Sequence, residues 1–395
     1  MNNKLFLALT SLVITVSLTA CDYNGEKELN ISYDQYGQSV QQTSDGNYIA
    51  AGATGTKSNS MDFYIAKINT SGSILWSKTY GGSGYDTARS VEQTKDGGYI
   101  VAGETESFGT PDENGNRCDF WVMKLDASGN QQWAKTYGGP QRDGAYEVHQ
   151  LGDGGYIVAG YTHTFDEMGM RAYRLDAGGN VIWAKTYGYG AANSVAVCSD
   201  GSFILAGNTA VYAGVDGSAD MAVVKINANG DVVWQKTTGG SRDEFATSVV
   251  RTNDGGCAIA GYTTDDWTAN GGKGHAMIVK LDAAGNEIWN KEFGGTRFDK
   301  ANSVRQLPDG SFIFAGETRS YGSNSDNIKA DAWVVKIDAY GTQLWSHSFG
   351  DADNNLAQSV NLSSDGGFCV LGYTYTNLTY GNDLYLIKLD ANGNE

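Results

Sequence analysis

The chain has 395 residues, 28 of them basic and 45 acidic, for a formal net charge of −17. Such an acidic surface repels nucleic acid and anionic lipid headgroups, so neither is expected as a direct partner. Hydrophobic residues make up 41 %, with 53 Gly and only 3 Pro, which describes a turn-dense globular chain rather than a disordered one, long enough to bury a large core.

The first element is an address. Lys4 supplies one positive charge, an apolar run extends from Leu5 to Leu18, and Leu18-Thr19-Ala20-Cys21 follows directly. The run is too short to span a bilayer comfortably and reads as a signal peptide. The L-T-A-C string resembles a bacterial lipobox, which implies acylation of Cys21. Residues 1–20 are then a signal peptide, 21–26 a lipidated Cys and tether, and 27–395 the folded domain. Cleavage removes one Lys and no acid, leaving 27 basic against 45 acidic residues and a net charge of −18. The expected location is the bacterial cell envelope, periplasmic or at the cell surface, with the lipid as the one membrane contact. Asp22 resembles an inner-membrane retention signal of some lipoproteins.

From there one repeat recurs seven times. Asp-Gly turns begin at Asp45, Asp96, Asp153, Asp200, Asp254, Asp309 and Asp365. Each follows an S-V or E-V opening and precedes an A-G-x-T-like strand end, a strand closing on a basic residue, and a Trp. In the second repeat, strand A covers Ser90 to Thr94, strand B Tyr99 to Thr105, strand C Asp119 to Asp126 and strand D Gln132 to Tyr137. Asp-Gly and Gly-Asn form the tight hairpin turns between them. About fifty residues with four short strands per repeat predict an all-β, seven-bladed β-propeller. The last repeat stops before its Trp, whereas Glu28 to Tyr33 aligns with the W-x-K-x-Y segment. Residues 27–33 are therefore expected to complete blade seven and close the ring.

The D-A-x-G-N-x-x-W segments, such as Asp126 to Trp133 and Asp282 to Trp289, resemble the tryptophan-docking motif of quinoprotein-like propellers. The longer D-G-G-Y-I-V-A-G-x-T and L-D-A-x-G-N-x-x-W-x-K-T-Y-G-G pattern resembles the repeats of bacterial exported propeller proteins. Pyrroloquinoline-quinone enzymes of that superfamily imply eight blades and calcium, often with an adjacent Cys pair. This chain has seven repeats and no Cys-Cys, so no quinone cofactor is expected.

Chemical motifs are sparse. Lys67, Lys124, Arg174, Lys225, Lys280, Lys336 and Lys388 end strand C beside the repeated Asp, which reads as a structural pair in each blade. The Asp opening strand C, as at Asp62 and Asp119, reads as a turn cap. His149, His163, His275 and His347 show no metal-ligand spacing, and the residue after the strand A Val forms a mixed series including Glu92, His149 and Arg305. Asp112 to Asn116 departs from a calcium-loop pattern and reads as a polar loop tip, with calcium the weaker alternative. Cys118, Cys198, Cys257 and Cys369 suggest no disulfide, and Cys257 reads as a packed thiol.

Variation marks the expected working surface. Successive S-V or E-V openings are 51, 57, 47, 54, 55 and 56 residues apart, and most of the difference lies between strands B and C. The B–C and D–A loops share one end of a propeller, so binding is placed there. The residue before the strand B Thr supplies the candidates Glu104, Tyr161, Tyr262, Glu317 and Tyr373, joined by Trp267, all expected to tolerate Ala. Phe108, Phe165, Tyr212 and Tyr321 read as lids over the blade cores. The function read from this pattern is a monomeric binding or assembly scaffold for a protein or glycan, without a catalytic residue or metal. The alternative is a glycan hydrolase or lyase, for which a deep central pocket with converging, non-repeated ionisable groups is expected, whereas a binding module is expected to show a shallow, aromatic-rich loop face.

Overall fold

The computed structural model describes residues 35–55, 60–115, 118–164, 168–209, 219–264, 273–322, 329–350, 353–375 and 382–395. Among them no helix occurs, and the strands form seven antiparallel sheets in simple A-B-C-D order. Six sheets have four strands; the last has three among the described residues, Asn354–Leu362, Phe368–Tyr375 and Leu384–Leu389. The fourth strand expected from residues 27–33, like Cys21 and the whole leader, lies outside the described residues.

Strands B and C are buried at nearly every step, and mostly apolar, because both sheet faces meet a neighbouring blade. The buried side chains accordingly divide into seven clusters, each spanning a seam between successive blades. One joins Phe63 and Ile65 of blade one to Tyr99 and Val101 of blade two, and another joins Val40 and Tyr48 of blade one to Cys369 and Leu371 of blade seven. The second of these closes the circle. A fully buried large apolar side chain contributes about 1.5–3 kcal/mol, so each seam is a core in its own right.

At the outer edge, the W-x-K-x-Y motif of one blade clamps the Gly-Asn turn of the next. Around blade two, Lys135 Nζ donates to Asn180 Oδ1 at 2.8 Å and Tyr137 Oη to the Gly179 carbonyl at 2.6 Å. The Trp133 indole covers Gly179, whose φ is +75°. The two repeated motifs thus recognise one another across a seam.

Near the axis, each strand A carries a β-bulge. The extra residues are Gln38, Arg89, Tyr146, Asn193, Thr247, Asn302 and Gln358, and all seven side chains are turned inward onto the central cavity. Re-aiming a side chain is what a bulge does. The bulged strand also drives a carbonyl toward strand B: a Cβ on Gly160 would fall on the Gly144 carbonyl, and the equivalent Gly103, Gly261 and Gly316 meet the same obstruction. Hence the Gly of A-G-x-T.

Candidate functional site: the axial cavity

The S-V opening forms an inner girdle. Ser39 Oγ accepts the Val91 N–H at 3.3 Å, Ser90 that of Val148 at 3.3 Å, and Ser194 that of Val249 at 2.9 Å. Ser248 accepts from Val304, Ser303 from Val360, and Ser359 from Val40 at 3.5 Å, which links the last blade to the first. Blade three departs from the rule. There Glu147 stands in the Ser place, and its Oε2 accepts from the Val195 N–H at 2.7 Å and from the Ser194 hydroxyl at 2.6 Å.

Glu147 also begins a charged cluster. Its Oε1 lies 3.2 Å from His149 Nε2, while His149 Nδ1 lies 2.6 Å from Glu92 Oε2. Burial opposes a charge on the imidazole, but the two carboxylates outweigh it and raise its pKa to about 10. His149 in turn holds Glu147 below the usual carboxylate range against the cost of burial. Opposite signs therefore lock blades two and three together at the axis.

The sign of the pH effect follows. A raised His pKa gives stability that is complete below about 6.5 and is lost as pH rises through about 10, whereas the lowered Glu147 loses its contribution as pH falls. The wild-type melting temperature should therefore decline between about pH 6.5 and 10, and His149→Gln should flatten that decline. Parallel curves for the two proteins would refute the cluster as its source.

A cavity of about 440 Å³ opens on the axis. Its wall runs along the middle of the A strands, from Lys300 and Phe245 down to Arg305, and includes the ends of B strands at Asn208 and Tyr262, which set its mouth at the B–C and D–A end. Arg89, Lys300, Arg305 and Glu147 are the charged residues in its wall. Arg305 Nε donates to Asn361 Oδ1 at 2.9 Å and Nη1 to the Val304 carbonyl at 2.8 Å. Lys300 has no ion pair among the described residues and stands 5.1 Å from the Tyr262 ring centre. Burial lowers its pKa, with Glu317 opposing.

Of the residues singled out in the sequence, Tyr262 lines the cavity, and Glu104, Tyr161, Glu317 and Tyr373 hold the same place near the end of their own strand B. Each lies directly across from a strand A residue: Glu104 from Thr87, Tyr161 from Gly144, Tyr262 from Phe245, Glu317 from Lys300, and Tyr373 from Leu356. Tyr262 stacks on Phe245 with ring centres 5.0 Å apart, and Tyr373 meets Tyr36 edge-on at 5.3 Å. Glu104 Oε1 lies 3.5 Å from Arg89 Nη2. Tyr161 is only 7 % exposed and packs on Tyr146 and His163, so its truncation opens a buried hole, and the tolerance to Ala expected of a rim residue does not extend to it. Trp267, Phe165 and Tyr212 lie outside the described residues; Phe108 and Tyr321 cover Trp121 and Trp333.

Two other repeated features resolve into seam chemistry. The strand C cations pair with the turn Asp in six blades, for example Lys124 with Asp96 at 2.9 Å and Lys280 with Asp254 at 2.8 Å. In blade six Asp309 instead accepts from Ser311 Oγ at 2.5 Å. The Asp opening strand C does more than cap a loop. Asp119 Oδ2 accepts from the Thr110 N–H at 2.7 Å, but the side chain is 1 % exposed and faces Asp143 of the next blade across Gly138. Burial, with Asp143 adding to it, raises the Asp119 pKa; Asp62 behaves likewise beside Asp86. A side chain on Gly81 or Gly138 would strike both carboxylates of its seam, which explains the first Gly of Y-G-G. Cys118, Cys198, Cys257 and Cys369 are free, and burial pushes the Cys257 thiol up to about 12. At the Asp112 loop, Asp112 Oδ1 accepts from the Asn114 N–H at 2.8 Å in a side-chain-capped turn, and no group of three or more metal-ligating side chains occurs among the described residues.

Seven antiparallel sheets closed around an axial cavity define a β-propeller. Within that class, residues 43–74 and 198–232 match the model of a family described as a domain of unknown function (DUF5122) beta-propeller. A curated relative, regulatory protein FlaEY of Caulobacter vibrioides, is 23 % identical over 190 residues, covering 43 % of this chain and 20 % of that one. The match thus spans about a fifth of that relative's length. Among solved structures, a polysaccharide lyase of family PL25, an ulvan lyase, superposes with a TM-score of 0.56 at 11 % identity, covering 91 % of this chain and 96 % of that one. A puromycin hydrolase gives 0.51 at 12 % identity, with 90 % and 52 % covered. Sqt1 from Chaetomium thermophilum gives 0.50 at 12 % identity, with 92 % and 85 % covered. At such identities the likeness is one of fold.

Proposed function

We propose that the protein is a binding or assembly scaffold of the bacterial cell envelope, tethered through a lipid on Cys21, that takes a protein or glycan partner at its B–C and D–A end. The observation that carries this reading is the axial cavity, where a ring built from near-identical blades presents side chains that differ from blade to blade. A rigid scaffold with a variable lining is the usual arrangement of a recognition site.

The competing reading is a glycan hydrolase or lyase, and converging, non-repeated ionisable groups at the axis are the feature expected of it. The ulvan lyase likeness adds shared fold to that reading and no residue. The bonding of those groups favours binding. Both nitrogens of His149 are held by carboxylates, so it has no site with which to accept a substrate proton. Glu147 is engaged by Ser194, Val195 and His149, and burial raises the Tyr161, Tyr262 and Tyr373 hydroxyls, making them poorer sources of a phenolate base.

The full-length protein and variants at Tyr262, Glu317 and Tyr373 can be used as bait on envelope extract and on a glycan array. Alanine at these positions should weaken capture while melting stays within about 1 kcal/mol of wild type for the more exposed sites. Loss of capture from changes at the Asp-Gly turns alone, without unfolding, would place the site at the wrong end. Cys21→Ser should release the protein from the membrane fraction and abolish acyl labelling; unchanged labelling and fractionation would overturn the anchor.

A further inference from the structure

The charge balance of the cavity is the reverse of the chain's. The whole protein carries 28 basic and 45 acidic residues, yet the cavity wall holds Arg89, Lys300 and Arg305 against Glu147 alone. Glu147 is spent on the inner girdle and on His149. Two of the cations are incompletely satisfied. Lys300 has no ion pair among the described residues: it stands 5.1 Å from the Tyr262 ring centre and across the strand pair from Glu317, which acts on it through space without a salt bridge. Arg89 Nε is buried without a hydrogen-bond partner among the described residues, and its Nη2 approaches Glu104 no closer than 3.5 Å. Blades two and six stand three places apart in a ring of seven, so these cations lie on opposing walls. Leaving a buried donor unmade is costly, and an entering anion removes that cost.

The rest of the wall narrows the ligand's chemistry. Asn193 and Asn302 each donate Nδ2 to a carbonyl of the following blade, at 2.7 and 2.8 Å, which leaves their side-chain oxygens as acceptors. Between the cations lies the stacked Phe245–Tyr262 pair. Cations for a carboxylate, amide oxygens for hydroxyls and an aromatic face for an apolar ring surface are complementary to one kind of molecule. The cavity's volume, about 440 Å³, lies in the range of small-ligand pockets.

We propose that the axial cavity binds an acidic saccharide, a uronic-acid unit whose carboxylate pairs with Lys300 and whose ring lies against Tyr262. This rests on the binding reading above and deepens it by naming the ligand class. The long-range field of an acidic protein slows such a ligand's approach, so recognition is local and salt-sensitive.

The test is titration calorimetry of the full-length protein in detergent, with trigalacturonate and with the same trimer reduced at its carboxyl groups to the neutral sugar. Trigalacturonate should bind saturably and at least tenfold more tightly than the neutral trimer. Lys300→Met should lose at least tenfold for trigalacturonate with little change for the neutral sugar, Lys300→Arg should retain most of the affinity, and added salt should weaken the acidic sugar only. Melting curves establish that each variant is folded. Equal affinity for the two trimers, unchanged binding by Lys300→Met, or no saturable binding of either would overturn the inference. In the last case, a partner captured from envelope extract and lost in Glu317→Ala would leave the scaffold reading standing; no partner at this end at all would remove both.

Discussion

Gly160→Ala is expected to destabilise the propeller by about 3 kcal/mol, the upper part of the range for overpacking a close-packed interior, or to prevent folding of blade three altogether. The reason is geometric. A Cβ at this position would fall on the Gly144 carbonyl oxygen, 2.8 Å from its carbon and 2.9 Å from the Phe120 ring. Rotating a side chain offers no escape, because the obstruction is backbone and the backbone is held by the bulge at Tyr146. Relief would require flattening that bulge, which would withdraw Tyr146 from the cavity and shift Glu147 off the Val195 N–H. The control is Gly152→Ala, where nothing lies within 4 Å of the added atom, so the substitution should be near neutral. Chemical and thermal melts of the two variants decide the matter. Similar stabilities would show that the repeated Gly of A-G-x-T is not fixed by the bulge.

Blade number and strand order were legible because each repeat carries its own local signals: two hairpin turns, apolar strands and a recurring Trp that marks strand D. Contacts between repeats were not. Ser39 and Val91 are partners only because two S-V columns from adjacent blades meet at the axis, and no spacing within one repeat points to that pairing. The same holds for Glu92 and His149, which fill one column in neighbouring blades and therefore read as unrelated variation until the seam brings them within 2.6 Å. Comparing successive residues in a column would have found this pair. Lys300 was missed for a different reason. It precedes the S-V opening by three, where other blades place Tyr36, Thr87 or Phe245, and only the strand register sets it opposite Glu317, a residue the sequence did single out. Tyr161 shows the limit of treating a column as one environment. Its counterparts Glu104 and Tyr373 are half-buried, but the Gly144 opposite leaves room for its ring to lie inside the blade.

Trp133→Ala is expected to cost about 3 kcal/mol, the lower end for removing a large aromatic from a packed site, since the indole is half-buried rather than fully enclosed. Within its own blade the indole is covered by Lys135, whose Nζ lies 5.9 Å from the ring centre; its other contacts cross a seam. The six-membered ring lies over Gly179 of blade three, and the indole meets Tyr156 of that blade edge-on with centres 5.9 Å apart. Loss of the indole leaves Lys135 and Tyr137 to hold the turn through single hydrogen bonds to Asn180 and Gly179. These contribute about 0.5–1.5 kcal/mol each and do not replace the lost packing. The partner substitution makes the claim specific to docking. Gly179 has a φ of +75°, and a Cβ there would sit 2.9 Å from Trp133 Cζ3. Gly179→Ala alone therefore suffers left-handed backbone strain and a collision with the indole, whereas in a Trp133→Ala background the strain, about 1–3 kcal/mol, and a 3.2 Å approach to Tyr137 Oη remain. The double variant should thus be more stable than the sum of the two single losses implies, by about 0.5–3 kcal/mol. Strictly additive losses in equilibrium melts would mean that Trp133 stabilises its own blade and does not lock onto the next.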